Sequence, residues 1–345
     1  MRSFARAWRM TAIMLVLGLV FFIGRILWAN GLFSSVQTGF FGSCRALSNL
    51  PGVTDIEIAG GTAFVAVANA RGPSSADGIY TLSLSGGRLT RLSGTPRDFH
   101  PRGIGLYRAP DGSAVLLLAV NRRSSGRFSI VSFEVAATGL VAQGTIGSGL
   151  LTDPQDIVAV GPGTFYVSNN TAAQGTMQWL ADLGAVPGSS ILYFNGMMLR
   201  TAAEDVYGAQ GLLLAPDGNH LLVASLTTRS LKSFNREMLT GNLTEGESLT
   251  LDIAPEKISL DRRGEVWVAG HANLFQWRDF ATDPDHRPPS QVYRVSLSGG
   301  APQSAQPVYG NGGGEIAAAS VAASAGKRLL IGSSLDGKLL DCTLQ

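Results

Sequence analysis

The sequence predicts an all-β protein, a six-bladed β-propeller preceded by one N-terminal transmembrane helix. Three observations lead there. An apolar run lies near the N-terminus, a phrase of two β-rich segments returns six times, and one cysteine stands near each end of the remainder.

The chain has 345 residues, 43 of them glycine, with only 15% charged. That length is large for one ordinary core but normal for a single large all-β domain. Abundant glycine and sparse charge suit many short strands joined by tight turns. An apolar content of 45% excludes a disordered chain. Arg2, Arg6, Arg9 and Arg25 belong to the N-terminal segment, and the remainder is slightly acidic. It carries no run of like charge and offers no basic field for nucleic acid.

The first element is the apolar run at residues 11–29, "TAIMLVLGLVFFIGRILWA", uncharged apart from Arg25. A helix of this length reaches about 28 Å, roughly a bilayer core. Arg25 is near its far end, where it can snorkel to the interface. The basic flank makes residues 1–10 a cytoplasmic tail and puts the body on the periplasmic, extracytoplasmic or lumenal side. The rival is a signal peptide, since the small Ala29 ends the run. Residues 30–43 then link this anchor to a propeller at 44–345.

The recurring phrase is a polar or small residue, a short apolar run, a glycine-containing turn and a second β-rich run. It begins at Thr54 ("TDIEIAGGTAFVAVAN"), Arg102, Gln155 ("QDIVAVGPGTFYVSNN"), Gln210, Glu256 ("EKISLDRRGEVWVAGH") and Ala319. Each phrase reads as a hairpin. "PDG" at 110–112 and 216–218 supplies Pro and Asp for the turn and Gly for positive φ. Strand-rich units recurring roughly every 50 residues signal a propeller, whose blades bury their faces only against neighbours. Six phrases give six blades.

A ring of blades has to close. Taking the last blade's strands from both chain ends does so. Cys44 and Cys342, one at each end, read as a disulfide in an exported protein; the alternative is two unpaired buried thiols. If each phrase opens with the innermost strand of its blade, then Thr54, Arg102, Gln155, Gln210, Glu256, Lys257 and Ser320 form a polar ring at one end of the channel. Ordinary loop residues in water would be polar too.

At these residues the sequence resembles the paraoxonase/arylesterase family. The densest stretch is "DIVAVGPGTFYVSNN" at 156–170, joined by "ISLDRRGEVWVAGH", "GKRLLIGSS", the "PDG" hairpins and the terminal cysteines. The resemblance covers roughly residues 40–345. It implies a six-bladed propeller with a disulfide joining the terminal cysteines. It also implies two channel calcium ions, one structural and one that polarises a lactone or aryl ester carbonyl.

The family's structural-calcium ligands fall on Asp55, Asp156 and the carbonyl of Ile104, a hard oxygen set suited to calcium. The alternative role for the two aspartates is to cap turns. The catalytic-calcium ligands fall on Thr54, Gln155, Gln210, Glu256 and Lys257. Thr54 lacks the family's charge, and the two glutamines keep an amide oxygen on a longer stem. Lys257 has no acceptor and cannot ligate a cation. Its ammonium is expected where relatives hold the metal, with Glu256 and the two glutamine carbonyls as partners.

The family's paired histidines fall on Arg102 and Arg122, which do not act as bases near neutrality. A pocket-wall histidine is matched by His271. The resulting expectation is an arylesterase/lactonase relative with one structural calcium, no catalytic calcium and impaired hydrolysis. Glu256, Lys257, His271, Arg102 and Arg122 are what remains for catalysis. One alternative is an active ester or lactone hydrolase. Another is a non-catalytic propeller that binds an anionic small molecule or assists membrane-protein assembly. His100, His220 and His286 read as turn or surface residues.

Overall fold

The computed structural model describes residues 2–108, 115–170 and 176–345. The turn expected at 110–112 lies outside the described residues, whereas that at 216–218 is present. There Gly218 has φ +71° and donates its N–H to the Ala215 carbonyl at 2.9 Å.

Among the described residues the strands form six sheets in a ring. The innermost strands are Val53–Ala59, Pro101–Arg108, Asp153–Gly161, Ala209–Leu214, Ala254–Leu260 and Val321–Ala325. Each carries one of the six phrases. The sixth sheet takes Val321–Ala325, Arg328–Gly332 and Lys338–Leu344 from the C-terminal end and its outermost strand, Gly42–Ser48, from the N-terminal end. Cys44 and Cys342 face each other in register there and are disulfide-bonded. In the chain-entropy model, closing so long a loop is worth about 5 kcal/mol.

Burial follows the blades. Six separate apolar clusters fill the spaces between adjacent sheets. Between the fourth and fifth blades, for example, Leu222, Ala224 and Leu231 meet Ile258, Val266 and Val268. The short apolar runs of the phrases are therefore core on both faces, so they do not alternate with polar residues.

Where inner strands touch, side chains must be small. A Cβ on Gly211 would lie 2.7 Å from the Glu256 carbonyl oxygen and 2.9 Å from the Ile258 nitrogen. One on Gly103 would lie 2.4 Å from Asp156 Oδ1. The glycine after the opening residue of "RGI" and "QGL" is thus a contact requirement between blades.

The N-terminal helix α1 spans Arg2–Ala29, and its stretch Trp8–Ala29 is long and apolar enough to cross a membrane. Its end does not hang free. Gly31, φ +73°, terminates it, and a Cβ there would lie 2.0 Å from the Ala272 carbonyl oxygen. Arg25 does not snorkel outward. It donates to the Ala185 carbonyl at 3.1 Å and lies over the Tyr207 ring.

Residues 30–43, read from sequence as a linker, pack against the propeller. Asn30 is fully buried, and Gly39–Phe40 adds a short strand to the fifth sheet. Two short helices, α2 (Thr176–Asp182) and α3 (Leu274–Thr282), interrupt the third and fifth blades. Asn273 caps α3 by accepting from the Phe275 and Gln276 amides. At its far end Arg71 donates to the carbonyls of Phe280 and Ala281.

Candidate functional site

The channel opens into a cavity of about 500 Å³ at the end where the inner strands begin. Thr54, Arg102, Gln155, Gln210, Glu256 and Lys257 line it, as do Arg122 and His271. Ser320 is buried behind Lys257, and its carbonyl accepts the Lys257 N–H at 3.0 Å. The ring expected from the repeats is therefore one physical wall, because identical blade geometry puts each phrase's first residue at the same height.

Its internal pairing differs from the expectation. Lys257 does not pair with Glu256. Its side chain, 5% exposed, turns down the channel, with Nζ 3.1 Å from Asp156 Oδ1 and donating to the Gln155 carbonyl at 2.7 Å. The strand register shifts between Pro255 and Ile258, at the Glu-Lys pair itself, and the two side chains leave it toward different partners. Glu256 instead meets His271, Oε2 to Nε2 at 2.6 Å. His271 is buried, and its Nδ1 has no hydrogen-bond partner among the described residues. The Trp277 ring lies beside it, and the Trp277 Nε1 is likewise unpartnered.

The two glutamines do not serve Lys257 through their side chains. The Gln155 amide donates to Asp153 Oδ2 at 2.7 Å. Gln210 contributes its backbone carbonyl to Ser168. The Thr54 hydroxyl turns to the wall and donates to the Pro101 carbonyl at 3.0 Å.

Arg102 is bound to Asp153 at 2.5 Å and lies over Phe128. Arg122 is exposed in the cavity wall and its guanidinium has no partner among the described residues. His100 is not a loose surface residue. It lines the cavity, with Nδ1 2.7 Å from the buried Asp77 and Nε2 3.1 Å from Ser124 Oγ.

Below the cavity, Asp55 and Asp156 repeat one arrangement. Asp55 accepts from its neighbour Ile56 and, across the blade boundary, from the Ile104 amide, both at 2.8 Å. Asp156 accepts from Ile157 and, across the next boundary, from the Leu212 amide, both at 2.9 Å. The aspartates therefore staple neighbouring inner strands rather than cap turns. Glu57, two residues along the same strand, joins them electrostatically. Burial, and then the Asp156 charge, push Asp55 up to about 8, against the opposing pull of Lys257 and the two amides. Burial and the two aspartates push Glu57 well above the usual carboxylate range. One ammonium thus faces three carboxylates.

Sequence reading missed several residues around this site. Asp153, Trp277, Arg278 and Asp182 all line the cavity. Arg278 donates to Asn30 Oδ1 at 2.7 Å and to the Asp182 carbonyl at 2.6 Å. Asp182, Trp277 and Arg278 come from interruptions of the blade repeat, and Asp153 opens an inner strand two residues before the third phrase begins, so a search for the repeated phrase passes over all four. The unusual Arg-Asp-containing insert after His271 was the available signal.

Among the described residues no three His, Cys, Asp or Glu side chains are arranged to hold a metal. The donor chemistry differs between the two levels of the channel. Deep down, Asp55, Asp156 and the Ile104 carbonyl are hard oxygen donors of the kind calcium takes, and a bound cation would reverse the upward push on the Asp55 carboxyl. At the mouth the set does not fit. Lys257, which has no acceptor, stands at one of the ligand positions, Glu256 is engaged by His271, and the Asp153 carboxylate in the same wall is held by Arg102 and the Gln155 amide.

Comparison with known proteins places this architecture. The solved structures it resembles include regucalcin from Agrobacterium tumefaciens, with a TM-score of 0.55, 15% identity, and 90% of this chain and 98% of that one covered. A gluconolactonase from Xanthomonas campestris gives a TM-score of 0.53 at 14% identity over 90% and 95% of the two chains. At such identities the likeness is one of fold.

Sequence relatives are more informative. The chain is 27% identical over 238 residues to serum paraoxonase/arylesterase 2 of Gallus gallus, covering 68% of this chain and 66% of that one, just under two thirds. It is 28% identical over 251 residues to serum paraoxonase/arylesterase 1 of Homo sapiens, covering 72% and 69%. The Arylesterase family model matches residues 81–344, most of the propeller including the cavity wall from Arg102 to His271. On that match the chain belongs to the Arylesterase family.

Proposed function

We propose that this chain is a membrane-anchored family member whose channel mouth binds a small organic anion, and that an ammonium replaces the metal at the mouth. The carrying observation is Lys257. Its charge is fixed in the throat by Asp156 and the Gln155 carbonyl, at the position that the family resemblance assigns to a metal ligand. A carboxylate or the hydroxy-acid form of a lactone suits the wall above it. There the exposed Arg122 guanidinium has no partner among the described residues. Glu256 fixes the His271 ring through Nε2 in the cavity wall.

Hydrolysis in the family manner is disfavoured by the same contacts. Arg102 and Arg122 replace the bases, and Lys257 supplies hydrogen bonds rather than Lewis acidity. Asp55, Asp156 and the Ile104 carbonyl would hold one structural calcium, which when bound supplies positive charge between the stapled inner strands. The N-terminal helix, apolar over Trp8–Ala29 and tied at its end to the mouth, supports an anchor with the propeller outside the cytoplasm.

Metal content, chelation and turnover test this reading together. The expected results are one calcium per chain, saturable binding of small carboxylates that Arg122→Gln weakens, and no phenyl acetate or γ-lactone hydrolysis above background. Two calcium ions per chain, with hydrolysis that a chelator abolishes before the fold melts, would overturn it.

A further inference from the structure

Arg122 ends Val115–Arg122, the second strand of the second blade. Its guanidinium has no partner among the described residues, yet its backbone is fixed on both sides. We propose, resting on the reading of the mouth as an anion site, that His100 is a positioning residue for Arg122. A belt of contacts through His100, Asp77 and Arg71 ties this cation to the opposite wall of the mouth.

The grip on Arg122 comes from residues 98–100. The Arg122 amide donates to the His100 carbonyl at 3.1 Å. The His100 amide donates to Oδ1 of the buried Asn121 at 2.8 Å, and Asn121 Nδ2 donates to the Asp98 carbonyl at 3.0 Å. Two residues beyond Arg122, the Ser124 amide and hydroxyl donate to Asp98 Oδ1 at 2.9 and 2.7 Å. The chain is held before and after Arg122, and only the side chain stays free. A backbone fixed beforehand lowers the entropic cost of binding.

The His100 ring holds this grip in place. Nδ1 lies 2.7 Å from Asp77 Oδ2, and Nε2 lies 3.1 Å from Ser124 Oγ and 3.2 Å from Asp98 Oδ1. Asp77 is buried and fixed by two amides, Asn69 to Oδ1 at 3.0 Å and Ser74 to Oδ2 at 3.1 Å. Asp77, His100 and Ser124 follow the order of a nucleophile triad, but the Ser124 hydroxyl donates to Asp98 rather than to the ring, so Ser124 is an anchor. The Ser124 amide, then its hydroxyl and then His100 hold the Asp98 carboxyl below its usual range, so the hairpin is gripped by a carboxylate.

From Asp77 the belt runs across the mouth. Residues 68–77 connect two strands of the first blade, and Arg71 reaches out of them to the fifth and sixth blades. It donates to the Phe280 carbonyl at 2.6 Å and to the Leu335 carbonyl at 2.7 Å. Phe280 belongs to α3, which carries Trp277 and Arg278 in the wall opposite Arg122. Blades two and five face each other across a six-membered ring, so the belt fixes the separation of the two walls between which a ligand must fit.

Calorimetric titration of the full chain in neutral detergent with benzoate tests the inference. His100→Ala should weaken benzoate about fivefold or more in the wild-type background. The loss should shrink below about twofold once Arg122→Gln is present, because both changes act through one guanidinium. Imidazole added to His100→Ala should restore affinity. Trypsin should cut after Arg123 and Arg127 faster in that variant, and imidazole should slow it again. Asp77→Asn, nearly isosteric, should reproduce the pattern more weakly, and melting temperatures report folding of every variant. Benzoate binding weakened by Arg122→Gln but by neither His100→Ala nor Asp77→Asn would overturn the inference and leave the mouth reading standing. Equal losses in both backgrounds would also overturn it, as the mark of a general structural effect. No saturable benzoate binding by wild type would overturn the mouth reading and this inference with it.

Discussion

The ammonium of Lys257 lies 3.1 Å from Oδ1 of Asp156, both side chains no more than 5% exposed. This pair joins the mouth of the channel to its floor. It commits to Asp156 the charge that the adjacent Glu256 was expected to receive, and leaves Glu256 to orient His271.

Removing the ammonium strands a buried carboxylate. Lys257→Met is expected to destabilise the chain by about 3–5 kcal/mol in chelator, read as a lower denaturant midpoint. Lys257→Asn leaves the same unpaired carboxylate but adds an oxygen donor, so calcium should restore much of its lost stability. No calcium response in that variant would count against the deep oxygen set as a cation site.

Gly211 tests the blade contact that positions Glu256 and Lys257. Its Cβ would press on the Glu256 carbonyl and the Ile258 nitrogen, both backbone atoms. Gly211→Ala should cost about 1–3 kcal/mol and weaken ligand binding at the mouth. Gly218→Ala, on the turn that follows the same inner strand, with open space around its Cβ but with positive φ, should perturb stability only, through backbone strain.

The closing blade has an acid-sensitive element. Burial alone would raise the Asp341 pKa, but hydrogen bonds and charge from Arg328 and Arg45 outweigh it and hold the carboxyl below its usual value. A carboxyl lowered on folding stabilises the native state above its unfolded pKa of about 3.9. That contribution is lost as pH falls through the lower folded value. Asp341→Asn should therefore lower the melting temperature at neutral pH and flatten its decline in acid. Parallel wild-type and variant curves down to the acid limb would refute this.

Asn30 links the apolar helix to the mouth. Its side chain accepts from Arg278 and donates to the Ile26 and Leu183 carbonyls, and its own carbonyl accepts from the Leu274 amide. Asn30→Ala leaves buried groups on α3 and near α2 unsatisfied, a cost of about 1–3 kcal/mol. Limited proteolysis should then cut within 176–188 faster than in wild type, while the outer strands stay protected.

The sequence by itself determined the ring. Six repeats of a turn-bounded apolar phrase leave each blade unable to bury its faces alone. Cysteines at both ends tell how the ring closes. The same repeat located Thr54, Arg102, Gln155, Gln210, Glu256 and Lys257 at one height, because that follows from period and polarity along the chain.

Tertiary structure alone decided who pairs with whom. Lys257 meets Asp156 from two blades away, and Glu256 meets His271 across a hairpin register with an irregularity between Pro255 and Ile258. Arg25 and Asn30 bind the propeller rather than a membrane interface or solvent. Such choices depend on side-chain direction and on the distance between strands remote in sequence. Neither quantity is written in a local pattern, since a charged residue at a strand end reads the same whether its partner lies outside in water or across the channel.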